Sequence, residues 1–208
     1  MKRGGLLIRD GEAVDRQRMG GFLNIDKPAG FTSHDVVARI RTLSGIKRVG
    51  HLGTLDPEAT GVLPICFGKG TKLASLLNGA DKAYDAVLRL GEETDTEDAT
   101  GKVTQTTLLP EYLKSSDGDA TILQALASFV GAYSQKPPMY SAVKIKGVPL
   151  YRIARSGEVV ERSVRQVMIR NISFLGHHGA DISFHVDCSK GTYIRTLCAD
   201  IGRKLGVG

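Results

Sequence analysis

The amino-acid sequence predicts an α+β fold in which a mixed, mostly antiparallel sheet is flanked by helices. Segments that alternate apolar and polar residues, as strands do, are interspersed with segments of helical periodicity. Several neighbouring strand-like segments are joined by short glycine-containing turns, which is typical of hairpins and not of a doubly wound parallel sheet. The 208 residues, of which 41% are hydrophobic, are enough for one sizeable core.

The chain is predicted to enter its fold through a strand followed by a helix. Residues 21–27 alternate apolar and polar side chains and end at the turn signal of residues 28–30. Either Thr32 or Ser33 can cap the helix that follows, because a hydroxyl can accept a hydrogen bond from a free amide of the first turn. Gly45 stands where a helix commonly stops.

The rest of the chain predicts further strands and helices in mixed order. The periodicity distinguishes strands, with period two, from amphipathic helices, with apolar residues three and four apart. In chain order these elements are a strand over 82–90, a polar loop or hairpin arm over 92–101, a helix over 122–130 capped by Asp119, a short helix over 148–156, strands over 166–175 and 180–189 joined through glycines, and a helix over 192–205.

The charge favours a polyanionic partner. The formal net charge is +6 and the sequence pI is about 9.3, which bears on partners and not on fold. The basic residues on or just beyond the first helix form either a solvated face or a phosphate-contacting patch; they are Arg39, Arg41, Lys47 and Arg48.

The thiol and imidazole groups do not predict a disulfide framework or a metal site. Cys66, Cys188 and Cys198 form no C-x-x-C pair, so we expect three buried thiols in a reducing cytoplasm. His177 and His178 are adjacent and are expected in a solvated turn. No apolar run approaches the roughly 20 residues of a membrane-spanning helix, so no membrane partner is expected.

Residues 49–65 have the composition of an ordered loop. They contain three glycines, two prolines and one histidine between apolar flanks. Asp56 lies within them and precedes a proline. Its carboxylate either satisfies amides of a turn or acts as a nucleophile or base, and the spacing alone favours the turn.

Five segments together resemble the TruB-type pseudouridine synthases, in that family's order. The second segment, HLGTLDPEATGVLP, resembles the motif of the catalytic aspartate, and the others resemble further family motifs. The segments are residues 22–37, 51–64, 82–101, 135–160 and 188–206.

The resemblance implies three catalytic residues on a pseudouridine synthase fold. Asp56 matches the catalytic aspartate, and Tyr84 matches the tyrosine that stacks on the flipped uracil and assists its final deprotonation. Arg195 matches the arginine that pairs with the catalytic carboxylate. By pattern alone, Tyr84 would be a core residue of a sheet and Arg195 a residue on a helix surface.

Further residues are assigned to substrate binding by the same resemblance. Tyr193 matches a residue that contacts the substrate nucleotide, and His51 matches the histidine associated with the disrupted T loop. Lys27 and Pro28 match the family's first motif; Lys27 joins the binding set, with a supporting role favoured over chemistry.

The implied reaction converts uridine to pseudouridine in the T loop of tRNA, with uridine 55 as the expected target. The N-glycosidic bond is cleaved and C5 of the base is joined to C1′, after the nucleotide has been flipped out of its stack. Attack on the ring, attack on C1′ and removal of the C2′ proton are all compatible roles for Asp56. The family implies no cofactor and no metal, a monomer, and tRNA as the partner.

Three alternatives stay open at the level of sequence. One is a catalytically silent RNA-binding module of the same fold, and another is a synthase that depends on a guide RNA. The third is a metal-dependent phosphodiester hydrolase, since clustered carboxylates can bind magnesium. Its candidate ligands are Asp85, Asp95, Glu97 and Asp98, for which a solvated turn is the competing interpretation.

The domain organisation follows from the resemblance. We expect residues 1–20 to form a leader and residues 21–208 to form the catalytic domain. That domain is expected to be incomplete at its C-terminus, because the family continues with another strand and a leucine against the target base. No PUA domain is expected in this chain.

Overall fold

The computed structural model describes residues 19–208, and residues 1–18 of the predicted leader lie outside the described residues. Contacts divide the chain into two compact units, one ending at Gly79 and the other running from Ala80 to Gly208. The assignment of residues 21–208 to one catalytic domain stays a prediction. No helix among the described residues is both long enough and apolar enough to cross a membrane.

The first unit contains a three-stranded antiparallel sheet and a helix. The strands lie in the order β1-β3-β2, with β3 in the centre. Buried apolar side chains of the helix and of the strands form the core of this unit. The elements are β1 (Gly20–Lys27), α1 (Ser33–Ser44), β2 (Val49–His51), β3 (Gly61–Gly68), a 3-10 turn (Lys69–Leu73) and α2 (Ala74–Leu77).

Helix α1 begins and ends as predicted. The Thr32 hydroxyl accepts a hydrogen bond from the Asp35 amide at 3.1 Å, and the Asp35 carboxylate accepts one from the Thr32 amide at 2.9 Å. This reciprocal pair is a capping box, so Thr32 and not Ser33 is the N-cap. Gly45 closes the helix with a φ of 70°, a left-handed conformation that glycine adopts without steric cost.

The prediction of a loop over the whole of residues 49–65 is wrong at both ends. Residues 49–51 form β2, and Gly61 begins β3, which extends beyond Ile65. The two strands pair with each other in antiparallel register, His51 opposite Ile65. Their apolar side chains are buried in the core, and this burial outweighs the glycine and proline content. Only residues 52–60 form the connecting loop.

The second unit is built around a four-stranded sheet in the order β4-β11-β10-β7. All its pairings are antiparallel, and β10 carries two bulges where it pairs with β11. Two small hairpins, β5 with β6 and β8 with β9, complete the strands. The elements are β4 (Lys82–Arg89), β5 (Glu92–Thr94), β6 (Val103–Thr106), α3 (Asp119–Ala127), β7 (Gly131–Gln135), β8 (Lys144–Ile145), β9 (Val148–Pro149), α4 (Leu150–Arg155), β10 (Arg165–His178), β11 (Asp181–Cys188) and α5 (Ile194–Leu205), with 3-10 turns over Glu111–Lys114 and Ser116–Gly118.

The core of the second unit joins one face of this sheet to α3 and α5. Strand residues such as Phe184 are fully buried together with Ile122 of α3 and with Leu197 and Ile201 of α5. The predicted apolar face of β4 packs on this core, and Tyr84 is one of its half-buried residues. The predicted α+β class is therefore confirmed, with the antiparallel strands divided between two larger sheets.

Two local predictions in the second unit are wrong. Asp119 is the first residue of α3 and not its cap; the N-cap is Gly118, which has no side chain to donate or accept. His177 and His178 end strand β10 and do not form a solvated turn. The His177 side chain is only 11% exposed, and its Nε2 lies 3.2 Å from a carboxylate oxygen of Asp119. The aspartate therefore serves a long-range contact that helix-capping patterns do not reveal.

The thiols follow the prediction for two of the three cysteines. Cys66 and Cys188 are buried, whereas the Cys198 residue as a whole is partly exposed to solvent. Burial nevertheless raises the pKa of the Cys198 thiol to about 12, so this group stays protonated and unreactive at neutral pH.

Candidate active site

Asp56 lies in the loop of residues 52–60, which connects two neighbouring strands. The amide of Leu52 donates to the Pro64 carbonyl at 2.8 Å and closes the base of the loop. The amide of Ala59 donates to the Asp56 carbonyl at 3.1 Å, which makes a tight turn directly after the aspartate. Asp56 is half-buried, so the residue retains partial access to solvent.

Lys27 fixes the loop on the C-terminal side of Asp56. Its side chain is completely buried, and its ammonium donates to the carbonyl oxygens of Pro28, Phe31 and Pro57 at 2.9, 2.6 and 2.8 Å. An ammonium has three N–H donors, and these three carbonyls use all of them. This geometry gives the predicted supporting role a physical basis; direct contact of Lys27 with RNA stays untested.

Ser33 fixes the loop on the N-terminal side of Asp56. It is buried, accepts a hydrogen bond from the Leu55 amide at 3.0 Å, and returns one to the Leu55 carbonyl at 3.2 Å. The amide of Gly30 adds a bond to the Pro57 carbonyl at 3.0 Å. The peptide groups before and after Asp56 are therefore both held by residues around the start of α1.

His51 stands at the end of β2, where the loop begins. Its Nδ1 contacts the carbonyl oxygen of Gly53. A carbonyl can only accept, so Nδ1 must carry the proton, and this bond sets the orientation of the ring. The predicted contact of His51 with the T loop would use the other ring nitrogen.

Arg195 lies near the beginning of α5 and is only 12% exposed. Its guanidinium donates to the carbonyl oxygens of Thr96 and Tyr140 at 2.9 and 3.0 Å, and Nη1 lies 3.5 Å from a carboxylate oxygen of Asp98. Because a guanidinium is planar and presents its donors in fixed directions, these contacts orient the side chain. The predicted surface position, which pattern alone favoured, is wrong.

Tyr193 is the N-cap of α5 and is held through its backbone. The buried side chain of Gln135 donates to the Tyr193 carbonyl at 2.9 Å and accepts from its amide at 2.8 Å. The glutamine thus takes the place of a capping side chain at this helix start. It fixes Tyr193 two residues before Arg195.

The structure therefore groups the predicted residues in two sets. Lys27, His51 and Asp56 belong to the first unit and surround one loop. The second unit contains Tyr84, Tyr193 and Arg195. Two positioning residues were missed by sequence reasoning. Ser33 was considered only as a helix cap, and Gln135 gave no signal, because a glutamine at the end of a strand is ordinarily exposed.

Comparison with known proteins shows to which family this chain belongs. Residues 41–194 match the model of the N-terminal domain of the TruB family pseudouridylate synthases. The chain belongs to this family. The matched region includes the Asp56 loop, Tyr84 and Tyr193 and ends one residue before Arg195.

Curated members of the TruB family resemble the chain over most of its length. It is 51% identical over 190 residues to tRNA pseudouridine synthase B of Alkaliphilus oremlandii and 49% identical over 190 residues to that of Clostridium acetobutylicum. These alignments cover 91% of the chain but only 62% and 64% of the relatives. The chain thus spans less than two thirds of the length of the TruB proteins it matches.

Solved structures agree with the fold. A Cbf5–Nop10–Gar1 complex contains a chain that is 34% identical, with a TM-score of 0.67 over 93% of this chain and 46% of that one. An H/ACA RNP bound to a substrate RNA containing 2′-deoxyuridine gives 30% identity and a TM-score of 0.64, covering 93% and 45% of the two chains. The pseudouridine synthase fold expected from the TruB resemblance is confirmed.

The acidic segment of residues 92–101, which supplied candidate ligands for a metal-dependent hydrolase, is partly buried in this TruB domain. Glu97 and Asp98 are half-buried, so the expectation of a solvated turn is wrong for them. Burial raises the pKa of Asp98, but hydrogen bonds from Thr100 and Thr96, together with Arg195, outweigh it and hold this pKa below its usual value. Among residues 19–208, no group of three or more acidic, histidine or cysteine side chains is arranged to hold a metal.

Proposed function

We propose that the chain isomerises uridine to pseudouridine in the T loop of tRNA, at the expected position 55, with Asp56 as the catalytic carboxylate. One observation carries the proposal: a chain of the TruB family holds this aspartate in a loop whose peptide groups are fixed on both sides. Such preorganisation is what a positioned catalytic group requires, because a misplaced carboxylate loses most of its effect.

The chemistry needs a charged carboxylate beside an extruded nucleotide. The bond between N1 and C1′ breaks, the uracil turns, and a bond between C5 and C1′ forms. C5 then loses its proton and N1 takes one up, so the reaction is an isomerisation and consumes no electron acceptor or donor. A base inside a stacked helix is inaccessible, and the nucleotide must be flipped out first. In this proposal Tyr84 stacks on the extruded ring, a contact worth about 1–3 kcal/mol per base.

Arg195 is proposed to keep Asp56 ionised and oriented. A partly buried carboxylate tends to bind a proton, and a guanidinium partner reverses this preference. The contacts of Arg195 with backbone carbonyls support the role, because the guanidinium is already held in one orientation.

The substrate is proposed to be the T arm of tRNA, bound by a monomer in the cytoplasm without a cofactor. The net charge of +6 supports a polyanionic ligand. His51 and Tyr193 are proposed to contact the RNA around the target nucleotide. The fixed ring of His51 and the fixed backbone of Tyr193 support these two assignments.

A stand-alone enzyme is favoured over one that depends on a guide RNA. Identity to the TruB proteins named tRNA pseudouridine synthase B is about 50%, against 34% to the chain in the Cbf5–Nop10–Gar1 complex. Pseudouridine formation on tRNA without any added RNA would distinguish the two. Activity that persists in excess EDTA would exclude the metal-dependent hydrolase.

The test is incubation of the 208-residue chain with an unmodified tRNA transcript, followed by mapping of pseudouridine to single nucleotides. We expect modification at uridine 55. Asp56→Asn should lower turnover by at least about 100-fold, the lower range for a positioned acid or base. Its tRNA affinity should change by less than about twofold, since the side chain keeps its shape.

Glu58→Gln is the matched control. It removes a negative charge two residues away in the same loop, from an exposed side chain. The control should retain turnover. If Asp56→Asn retained the same turnover as Glu58→Gln, Asp56 would have no part in the mechanism. If the unaltered chain bound tRNA but formed no pseudouridine, the result would favour the silent RNA-binding module.

A further inference from the structure

A small basic cavity in the second unit has no part in the site described above. It has a volume of about 160 Å³ and lies between the β8–β9 hairpin and the chain segment that leads into β10. Three cationic residues line it, Lys144, Arg162 and Arg165, together with apolar residues such as Leu150. No carboxylate of residues 19–208 lines it, so the charged side chains of its described lining are all positive.

The three cations are not neutralised by any carboxylate in the described part of the chain. Among residues 19–208, none of them forms an ion pair, although carboxylates elsewhere in the unit pair with Arg89 and Arg170. Lys144 and Arg165 are exposed, and clustering three positive charges without a counter-ion is unfavourable in the empty site. An anion in the cavity would remove this repulsion.

Arg162 presents the edge of its guanidinium that suits a phosphate. Its Nη1 donates to the carbonyl of Pro137 at 3.0 Å, which fixes the plane of the group. The opposite edge consists of Nε and Nη2, with which an arginine can bind two oxygens of one phosphate. The Nε–H is buried and has no hydrogen-bond acceptor in the described part of the chain. A buried donor without a partner is uncommon, and a phosphate oxygen would supply the acceptor.

The walls of the cavity are anchored in the folded unit. The amide of Leu150 donates to the Val143 carbonyl at 2.7 Å, and the amide of Tyr151 donates to the Ser141 carbonyl at 3.1 Å. The same segment supplies the Tyr140 carbonyl that Arg195 contacts. The segment between Pro137 and Leu150, which carries Lys144, is therefore held at several points, and Arg162 is bonded to its first residue.

We propose that this cavity binds a phosphate group of the RNA backbone, separately from the nucleotide that reacts. The proposal rests on the proposed function for its choice of RNA. Three cations and an unused guanidinium edge match a phosphodiester, whose two non-bridging oxygens can be bound by a bidentate arginine. The volume is well above the roughly 10–15 Å³ that a single water requires, so the cavity can admit more than solvent.

The first experiment measures tRNA affinity as a function of salt concentration. The double variant Lys144→Ala with Arg165→Ala is compared with Lys114→Ala, which removes one cation from another part of the surface. All chains carry Asp56→Asn, so the RNA stays unmodified during the measurement. Loss of one phosphate contact should reduce the slope of log K against log salt by about 0.7–0.9. Affinity at low salt should fall by about tenfold in the double variant and by less than twofold in the control.

The second experiment titrates inorganic phosphate into the isotopically labelled chain and follows backbone amide resonances. We expect the largest shifts at Lys144, Ser163 and Arg165, and their loss in the double variant. Phosphate shifts combined with an unchanged salt slope would overturn the assignment to RNA in favour of a free phosphate. An unchanged slope without phosphate shifts would overturn the site altogether. A changed slope, combined with no pseudouridine formation by the chain that keeps Asp56, would refute the proposed function and leave the phosphate site standing.

Discussion

Replacement of the buried Lys27 by methionine tests whether hydrogen bonds from this side chain hold the loop of Asp56 in place. The change keeps an unbranched side chain and removes the ammonium that donates to Pro28, Phe31 and Pro57. The Pro57 carbonyl retains a described donor, the amide of Gly30. The carbonyls of Pro28 and Phe31 lose theirs.

The expected cost follows from these two carbonyls. A hydrogen bond from a charged donor contributes about 1.5–3 kcal/mol, so the two lost bonds together cost about 3–6 kcal/mol. Removing the ammonium also relieves the cost of burying a charge, which offsets part of this loss. We expect a net decrease of about 2–3 kcal/mol in the free energy of unfolding. At a urea dependence of about 2 kcal/mol per molar, the midpoint should fall by roughly 1–1.5 M.

The assay is urea unfolding beside turnover on tRNA. Lys72→Met is the matched control, because it makes the same substitution at an exposed lysine of the same unit. Since the lost bonds run to backbone carbonyls around the loop, turnover should fall more than tRNA affinity in Lys27→Met. A Lys27→Met midpoint indistinguishable from that of Lys72→Met would refute the reasoning, and so would a loss of affinity with unchanged turnover.

Two further predictions concern the second unit. Gln135→Ala should lower the free energy of unfolding by about 1–3 kcal/mol, measured in urea, because the Tyr193 amide at the start of α5 loses its acceptor; an unchanged midpoint would contradict this. A hydrogen bond with Asp85 raises the pKa of His185 above its usual value, and the charge of Asp187 adds to this effect. The contact between His185 and Asp85 therefore stabilises the fold at low pH and loses its effect as pH rises through the raised pKa. Asp85→Asn should bring the pKa of His185, followed by NMR, back towards its usual value, and an unchanged titration would show that the contact is unimportant in solution.

Signals from neighbouring residues in the sequence predicted those elements whose ends are determined by neighbouring residues. Helix α1 was predicted from Thr32 to Gly45 because its cap and its stop are encoded by neighbouring residues. The strand limits around residues 49–65 were missed because glycine and proline were weighted above burial. Val49 and Ile65 are buried in a common core with α1, a property of the folded unit that composition does not display.

Long-range contacts explain the remaining errors in the same way. Asp119 has the residue type of a helix cap, but its carboxylate lies beside His177, which is distant in sequence. Neither the periodicity nor the composition of the sequence around these two residues indicates that they are in contact. The motif around Asp56 makes this residue a candidate, but no motif could point to Ser33 as a positioning residue, because its role depends on a bond to Leu55 in another part of the chain.

The five segments that resemble the family depend on one another physically. In the first unit, Lys27 of the first segment donates to Pro57 of the second, thirty residues away. The aspartate in the second segment is thus placed by a lysine in the first. A change in the backbone path of either segment would therefore disturb the position of the loop that carries the carboxylate.

The same dependence links the other three segments in the second unit. Arg195 in the fifth segment donates to the carbonyl of Thr96 in the third and to that of Tyr140 in the fourth. Gln135, at the start of the fourth, holds the backbone of Tyr193 in the fifth. Since the acceptors are backbone carbonyls, these contacts with Arg195 depend on the path of the chain and not on the side chains of Thr96 and Tyr140. The resemblance therefore extends over whole segments, because the glycines, prolines and buried residues around each carbonyl determine where it points.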